Sequence, residues 1–291
     1  MSCARVVAQA KLNLGLHVLA REASGFHAIE TVFLRLELGD SIIVRTGGGA
    51  RSIDCAGADV GPPESNLAYR AALAYAHANG WPDGFAIEIE KVIPVGGGLG
   101  GGSADAGGVL RALNALAPRP MTERDLLHLA GTLGSDVPFL TSTVPVALAW
   151  GRGERMLALP ALPKRHVVLA IPPFPIPTAA AYGWLAASRG ETRPTSMLVR
   201  SEELSAWESL APYTHNDFED VVAERHPEIP ATIAALQRAG ASIARMTGTG
   251  STVYGIFAQP FDVNARPGEI PGRIIESDTA EHVRRVDVVS R

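Results

Sequence analysis

Six glycines fall within seven consecutive residues, 96–102, and this feature limits most strongly how the chain can fold. Glycine packs no side chain and loses much conformational entropy on folding, so such a run is a poor strand or helix interior. An alternating strand pattern precedes the run at residues 85–89, and helical spacing of apolar residues follows at 109–116. The order strand, glycine loop, helix favours a site where backbone N–H groups and a helix N-terminus bind a phosphate. A flexible linker is the alternative, but linkers seldom join a strand directly to an amphipathic helix.

Three known nucleotide-binding patterns can be compared with this loop. Gly96, Gly98 and Gly101 fit the dinucleotide spacing, but the region where an acidic residue is then required, 116–120, has none. A Walker loop needs Gly-Lys-Ser/Thr, and no lysine of this chain follows a glycine. The His-Arg-Asp signature of protein kinases is also absent from the sequence. The pattern that remains is Pro-x-x-x-Gly-Leu-Gly followed by small residues.

Charge and composition narrow the class of protein. A net charge of −4 argues against a partner such as nucleic acid or an anionic membrane. No apolar run approaches the roughly 20 residues of a membrane span, and no signal-peptide pattern is present. Cys3 and Cys55 are the only cysteines, so a reducing compartment is expected rather than a disulfide framework. We therefore expect a soluble cytoplasmic α/β protein.

Lysine is rare in this chain. Three of the 26 basic residues are lysines, Lys11, Lys91 and Lys164, and the others are arginines. A compact ammonium and a planar guanidinium suit different chemistry. Each lysine is therefore a candidate functional residue.

The first half of the chain predicts alternating strands and helices. Residues 6–18 alternate with period two, which predicts a strand whose second face carries Lys11 and Asn13. Ser65 and Asn66 are predicted to cap a helix that ends at Gly80, and Thr122 is predicted to cap one that ends at Gly134. Further strands are predicted at residues 31–38, 41–45, 85–89 and 144–150.

A proline-rich segment at residues 159–177 separates the two halves. We place the domain boundary at its start, which gives domains of residues 1–158 and 159–291. The second half predicts helices at 178–188, 202–210, 217–223 and 229–239, and strands at 167–171, 242–246 and 253–257. A second glycine turn, with Gly248 and Gly250, joins the last two strands.

Several short motifs together resemble those of the GHMP small-molecule kinases. The likeness is greatest to the branch of that superfamily that phosphorylates a cytidine diphosphate-linked methylerythritol in the non-mevalonate isoprenoid pathway. The glycine loop is typical of the whole superfamily, whereas Lys-x-Asn with Gly-x-His after it is more specific. The matching segments, which span most of the chain, are residues 10–14, 25–27, 94–104, 134–139, 177–178, 216–217 and 247–250.

This resemblance implies a two-domain α+β fold with the active site between the domains. The N-terminal domain would be ribosomal-protein-like α/β and the C-terminal domain ferredoxin-like α+β. ATP would be the co-substrate, with Mg²⁺. The resemblance assigns a catalytic pair, Lys11 and Asp136. It assigns ATP binding to Pro94, Val95, Gly96, Gly97, Gly98, Leu99, Gly100, Gly101, Gly102, Ser103, Ala104, Gly248 and Gly250. It assigns substrate binding to Asn13, Phe26, His27, Thr178 and Tyr182.

Taken singly, several of these residues have ordinary structural interpretations. Asp136 could be a turn residue that accepts backbone N–H groups, and Lys11 a solvated lysine on an edge strand. His27 could be a surface histidine, Tyr182 a packing residue, and Gly248 and Gly250 a hairpin turn. Only the combination indicates a kinase.

The chain also departs from the pattern of the branch that it resembles. Phe26 stands where tyrosine is usual, and Ser24 where aspartate is usual. Gly101 and Gly102 occupy positions that carry serines in many members, one of which can reach Mg²⁺. Ser103 is the remaining candidate for that metal contact.

Three alternatives stay open on the sequence. One is another GHMP kinase, acting on homoserine or a mevalonate. The second is a dinucleotide-dependent oxidoreductase, which the missing acidic residue disfavours. The third is a nucleotide-binding protein without catalytic activity, which the presence of both Lys11 and Asp136 disfavours. The sequence does not specify an oligomeric state.

Overall fold

A computed structural model describes residues 2–21, 27–58, 60–189, 201–261 and 270–289. The strands within these residues are β1 (Ser2–Arg21), β2 (His27–Thr46), β3 (Arg51–Ala56), β4 (Phe85–Glu90), β5 (Val146–Gly151), β6 (Arg155–Ala158), β7 (His166–Ile171), β8 (Ile243–Met246), β9 (Val253–Phe257), β10 (Arg273–Asp278) and β11 (Asp287–Val289). The helices are α1 (Leu67–Asn79), α2 (Gly101–Leu116), α3 (Glu123–Gly131), α4 (Val137–Thr141), α5 (Thr178–Arg189), α6 (Trp207–Leu210), α7 (Glu219–Ala223) and α8 (Glu228–Arg238). Short 3₁₀ turns lie at Pro63–Ser65, Ser201–Leu204 and Ala211–Tyr213.

Two long strands, β1 and β2, organise the first sheet. Each has 20 residues, and they pair antiparallel along nearly their whole length. β2 shares its other edge between two partners, because β5 pairs with its first part and β4 with its last part. The order is β11-β1-β2-β4-β3, with β6 beyond β5. The last described strand of the chain therefore belongs to the first sheet, whereas the predicted boundary after residue 158 lies between β6 and β7.

The second sheet is antiparallel with the order β10-β7-β9-β8. Helices α5 to α8 all lie in the connection between β7 and β8. The first and third strands of the unit, β7 and β9, occupy the centre of the sheet, as in a ferredoxin-like split βαβ arrangement. The predicted α+β class, with a ferredoxin-like second half, is confirmed.

Alternation along β7 explains how the two halves share a core. Val167 and Leu169 pack into the hydrophobic cluster that contains β1, β2 and α2. Val168 and Ala170 point to the opposite face and pack with residues of α5, α7 and α8. Because successive strand residues face opposite sides, the second sheet is buried on both faces. This burial explains why residues 167–170 form a continuous apolar run.

Several sequence-based predictions of elements hold in the structure. The Asn66 side chain accepts from the N–H groups of Ala68 and Tyr69 at the start of α1, and Gly80 ends that helix in the left-handed region. Thr122 caps α3 by accepting from Asp125 N. These caps satisfy backbone donors that an α-helix leaves unpaired.

Other predictions of elements are wrong. The two strands predicted at residues 31–38 and 41–45 are one continuous strand, β2, because the intervening Gly39 and Asp40 pair with Gln9 and Ala8 of β1. The helix predicted at 202–210 is a 3₁₀ turn followed by α6. Extended backbone at Ala206 (φ −141°, ψ 148°) separates the two. α3 ends at Gly131 rather than at Gly134.

Among the described residues, no helix is long and apolar enough to cross a membrane.

A buried hydroxyl links the two sheets. Tyr254 on β9 is fully buried, and its hydroxyl lies 3.2 Å from the carbonyl oxygen of Asn13 and 3.3 Å from that of Leu14 on β1. Burial raises the pKa of this phenol, so it remains a donor at neutral pH.

We predict that Tyr254→Phe lowers the free energy of unfolding by about 1 kcal/mol, the net contribution of one neutral hydrogen bond. Urea denaturation measures this change. Tyr69→Phe is the matched control, because the Tyr69 ring packs edge-on against Phe85 and its hydroxyl has no hydrogen bond within the described residues. Equal losses in the two variants would contradict the role given to the Tyr254 hydroxyl.

Candidate active site

The glycine loop lines a cleft of about 1190 Å³. Gly96, Gly98 and Gly100 have φ angles of 76°, 79° and 72°, in the left-handed region that favours glycine. Left-handed residues at alternate positions turn backbone N–H groups to one side, which forms a concave anion site. α2 begins at Gly101, directly after the loop, and its N-terminus adds partial positive charge. The loop therefore has the backbone geometry of an anion site.

The second glycine turn packs directly on the first. A Cβ at Gly98 would lie 2.3 Å from the carbonyl oxygen of Thr247, and one at Gly97 would lie 2.6 Å from Thr252 Oγ1. The N–H of Thr252 donates to Gly97 O at 3.3 Å. The loop glycines are thus required for close approach of two backbones as well as for their φ angles.

Lys11 lies on β1 at the base of the cleft. Its Nζ donates to Asn13 Oδ1 at 2.6 Å and lies 3.3 Å from Asp136 Oδ2. Asn13 is held in turn, because its Nδ2 donates to Thr31 Oγ1 at 2.8 Å. Lys11 is only 3% exposed, whereas the Asp136 side chain is 29% exposed. The carboxylate can therefore be reached from the cleft while the ammonium is held beneath it.

The tight packing of Lys11 comes from Gly100. A Cβ at Gly100 would lie 3.0 Å from both Cγ and Cε of Lys11. The backbone N–H of Lys11 donates to Leu99 O at 3.1 Å, so β1 also holds the loop directly. Asp136 comes immediately before α4 and makes no side-chain cap to it, which leaves its oxygens for the cleft.

Aromatic rings form another part of the cleft lining. His27 and Tyr182 stack with ring centroids 4.8 Å apart and an interplanar angle of 25°. Tyr182 also packs edge-on against Phe218, at 4.9 Å. Burial and the negative charge of Asp136 raise the pKa of Tyr182. Thr178, at the start of α5, places its Oγ1 3.3 Å from Thr249 Oγ1 of the second glycine turn.

Most residues assigned from sequence line this one cleft. They are Lys11, Asn13, His27, Pro94, Val95, Gly96, Gly97, Gly98, Leu99, Gly100, Gly101, Gly102, Ser103, Asp136, Thr178, Tyr182 and Gly248.

Two assigned residues stand apart from that lining, and a third cannot be placed relative to it. Ala104 is 1% exposed and packs in the core beneath the loop. Gly250 faces away from the cleft, since a Cβ there would lie 2.7 Å from Met246 Sδ and 2.8 Å from Ile176 Cδ1. Phe26, like the variant position Ser24, lies outside the described residues. The first two support the site from behind.

Comparison with known proteins decides the family. Residues 66–143 match the GHMP kinases N terminal domain, and residues 199–266 match the GHMP kinases C terminal domain. A 4-diphosphocytidyl-2-C-methyl-D-erythritol kinase of Desulfotalea psychrophila (strain LSv54 / DSM 12343) is 38% identical over 253 residues, which are 86% of this chain and 84% of that protein. The chain belongs to this kinase family.

Solved structures agree with that assignment. A crystal structure of 4-(cytidine 5'-diphospho)-2C-methyl-D-erythritol kinase superposes with a TM-score of 0.78 and 34% identity, covering 94% of this chain and 98% of that one. The homoserine kinase of Cytophaga hutchinsonii ATCC 33406 has a TM-score of 0.67 at 17% identity, over 99% of this chain and 97% of its own. The second likeness shows the fold alone.

As a member of the 4-diphosphocytidyl-2-C-methyl-D-erythritol kinase family, the chain is an ATP-dependent small-molecule kinase with the two-domain GHMP fold. The predicted family and enzyme class are confirmed. The dinucleotide spacing at Gly96, Gly98 and Gly101 is therefore part of a kinase loop.

The sequence did not identify every polar residue of this kinase's cleft. Asn66, Lys91, Asp105 and Arg152 also line it. The rarity of lysine made Lys91 a candidate without indicating its partners. Asp105 looked like one residue of a helix, and no pattern pointed to Arg152.

We predict that Gly98→Ala lowers the free energy of unfolding by at least about 2 kcal/mol. The left-handed φ costs about 1–2 kcal/mol for a residue with a Cβ, and the contact with Thr247 O adds to that cost. Gly102→Ala is the control, because it lies in α2 and a Cβ there meets no atom within 4 Å. Its unfolding free energy should stay equal or rise by about 0.5–1 kcal/mol. Similar stability of the two variants, measured by thermal and urea denaturation, would contradict this account of the loop.

Proposed function

We propose that this chain transfers the γ-phosphoryl group of ATP to the 2-hydroxyl of 4-diphosphocytidyl-2-C-methyl-D-erythritol, in the non-mevalonate route to isoprenoid precursors. The observation that carries the proposal is the content of one cleft. It holds a backbone phosphate site, the Lys11–Asp136 pair and the His27–Tyr182 stack. These three features suit a triphosphate, a reacting hydroxyl and a planar base, respectively. The names of the similar kinases indicate a substrate that carries both a hydroxyl group and a planar base.

Asp136 is the proposed general base. Its exposed carboxylate accepts the proton of the substrate hydroxyl as that oxygen attacks the γ-phosphorus. The new P–O bond forms while the bond to the β,γ-bridging oxygen breaks, and ADP leaves with that electron pair. Positioning and charge supply most of the catalysis in phosphoryl transfer, since the transition state is loose.

Lys11 is the proposed electrostatic partner of this step. Its ammonium lies between Asn13 and Asp136, where it stabilises the ionised carboxylate and the negative charge on the reacting oxygen. Because Asn13 and Gly100 fix the side chain, little reorganisation is needed during the reaction. A preorganised charge of this kind favours the transition state over the ground state.

The cytosine base is proposed to bind at the aromatic side of the cleft. Base stacking on aromatic rings contributes about 1–3 kcal/mol per base. Tyr182 offers a ring fixed by Phe218, and His27 offers ring nitrogens for hydrogen bonding. Asn13 and Thr178 also line the cleft, and they are the proposed contacts to the linked diphosphate or the methylerythritol.

Mg²⁺ is part of the same proposal. No group of three or more His, Cys, Asp or Glu side chains within the described residues could hold a metal by itself. Mg²⁺ usually takes one or two protein oxygens together with substrate phosphates and water, and Ser103 supplies such an oxygen in the cleft. When bound there, the ion would neutralise phosphate charge.

We also propose a cytoplasmic location, which the free thiols of Cys3 and Cys55 support.

A substrate panel tests the proposal. ADP release from ATP is measured with 4-diphosphocytidyl-2-C-methyl-D-erythritol, homoserine, mevalonate and galactose as acceptors, and ³¹P NMR locates the new phosphate. We expect the highest kcat/KM with the cytidine compound and phosphate on its 2-hydroxyl. Faster turnover of homoserine or mevalonate would remove the substrate assignment and leave the kinase assignment in place.

We predict that Asp136→Asn and Lys11→Arg give folded, ATP-binding and inactive proteins. Loss of a general base typically costs on the order of 10²–10⁴ in rate. At position 11 a guanidinium does not fit beside Gly100 and displaces Asp136 or the hydroxyl, which costs about 10²-fold. A coupled assay gives kcat, and calorimetry gives the affinity for a non-hydrolysable ATP analogue.

Lys164→Arg is the control for the lysine variant. The Lys164 side chain is 55% exposed and pairs with Asp278 at 2.9 Å, away from the cleft. Activity equal to wild type is expected there. Near-normal turnover in Lys11→Arg would show that Lys11 has no specific part in the reaction. Near-normal turnover in Asp136→Asn would exclude Asp136 as the general base.

A separate prediction concerns the stack. Tyr182→Leu should raise KM for the cytidine substrate about tenfold, since one base stack is removed, and leave KM for ATP unchanged. Tyr182→Phe keeps the ring and should change either KM less than about threefold, the scale of a weak hydrogen bond. Equal KM effects in the two variants would show that the ring does not bind the base.

A further inference from the structure

A buried lysine with two carboxylates lies at the base of the glycine loop. Lys91 Nζ donates to Asp40 Oδ2 at 2.5 Å and to Asp105 Oδ2 at 2.6 Å. The residues are 9%, 0% and 4% exposed, respectively. They come from three separate parts of the first half of the chain: Asp40 from β2, Lys91 from the position directly after β4, and Asp105 from α2.

This cluster contacts the chain on both sides of the glycine loop. Asp40 Oδ1 accepts from the N–H groups of Val92 and Ile93, at 2.5 Å and 2.8 Å, and so holds the segment that enters the loop. Asp105 belongs to the first turns of α2, the helix that leaves the loop. Lys91 connects the two carboxylates. One ammonium therefore joins both ends of the loop at residues 94–100 to the long strand β2.

We propose that Lys91 is a positioning residue for the ATP loop, which it holds in its phosphate-binding conformation through Asp40 and Asp105. The role rests on the proposed function, in which that loop binds the triphosphate. Lys91 acts through the loop backbone rather than on the reacting atoms. Because backbone N–H groups bind phosphate only when they converge, fixing both ends of the loop raises affinity by reducing the ordering that binding requires.

The composition of the cluster favours this role over a purely stabilising one. Replacing a buried ion pair by apolar residues is often neutral or stabilising, so ion pairing alone is a weak explanation for keeping it. Here two carboxylates share one ammonium, and Asp105 Oδ1 has no hydrogen-bond partner among the described residues. Burial and the negative charge of Asp40 raise the pKa of Asp105 to about 7, although the positive charge of Lys91 acts in the opposite direction. A cluster with one unpaired buried oxygen is not optimised for stability alone.

Three variants separate positioning from stability. Lys91→Met removes the ammonium at similar length and leaves Asp40 and Asp105 without it. Lys91→Met combined with Asp105→Asn also removes the second carboxylate, while Asp40 keeps its bonds to the N–H groups of Val92 and Ile93. Lys164→Met is the matched control, because it removes an exposed lysine that pairs with one carboxylate, Asp278.

The full-length proteins are compared in three measurements. Calorimetry gives the affinity for a non-hydrolysable ATP analogue, steady-state kinetics gives KM and kcat, and hydrogen exchange reports the amides of residues 96–102 without nucleotide. For both Lys91 variants we expect at least about tenfold weaker binding of the analogue and faster exchange in the loop. KM for the cytidine substrate should change less than threefold. The double variant should unfold at a higher temperature than Lys91→Met without recovering affinity, and Lys164→Met should match wild type throughout.

Two results would overturn the inference. If the double variant is folded and binds the analogue as wild type does, with unchanged loop exchange, Lys91 has a stabilising role only. If affinity recovers in step with melting temperature across the variants, the same conclusion follows. Failure of the wild-type protein to bind the analogue would instead overturn the proposed function, and the positioning role with it.

Discussion

The close approach of two glycine turns is the constraint on which the site depends. The loop at residues 94–100 belongs to the first half of the chain and the turn at 247–252 to the second, and they touch backbone to backbone at Gly98 and Thr247. β1 lies beneath both, because Lys11 N donates to Leu99 O and Asn13 N donates to Thr247 Oγ1 at 3.1 Å. Lys11, the proposed electrostatic partner of Asp136, thus lies where three backbone segments meet. Any residue with a Cβ at position 98 would separate the segments that hold it.

In the proposed site, backbone groups rather than unpaired lysines would bind the anion. Lys11 lies beside Asp136, and Lys91 is shared by Asp40 and Asp105, so both lysines are paired before any ligand arrives. Because each lysine is already paired with a carboxylate, it holds neighbouring groups in place and does not attract phosphate as an isolated positive charge would. The loop N–H groups and the α2 terminus are fixed dipoles that need no counter-ion when the site is empty. This arrangement explains why glycines, and not cations, dominate the loop sequence.

Local patterns predicted the parts of the molecule that depend on local physics. The period of two in β1, the Asn66 and Thr122 caps and the glycine loop each follow from residues close together in sequence. The edge strands β3, β6, β10 and β11 were missed, because they are short or largely exposed and carry little apolar alternation. The Lys91 cluster joins residues 51 and 14 positions apart, which no periodicity encodes. Among the assigned site residues, Gly250 and Ala104 pack away from the cleft lining. Sequence alone does not show which residues of a glycine turn face the cleft and which face the core.

The two halves contribute different kinds of residue to the cleft, and the packing of β7 explains why they can do so together. The first half supplies the phosphate loop, Lys11 and Asp136. The second supplies α5, with Thr178 and Tyr182. Because β7 is buried on both faces, α5 cannot move relative to the first sheet without disturbing a shared core. In the proposed mechanism the reacting pair Lys11–Asp136 lies in the first half, whereas the residues proposed to bind the second substrate come from both halves, His27 from the first and Tyr182 from the second. The homoserine kinase at 17% identity shares this fold, so the fold by itself does not specify the acceptor, which depends on the side chains that line the cleft.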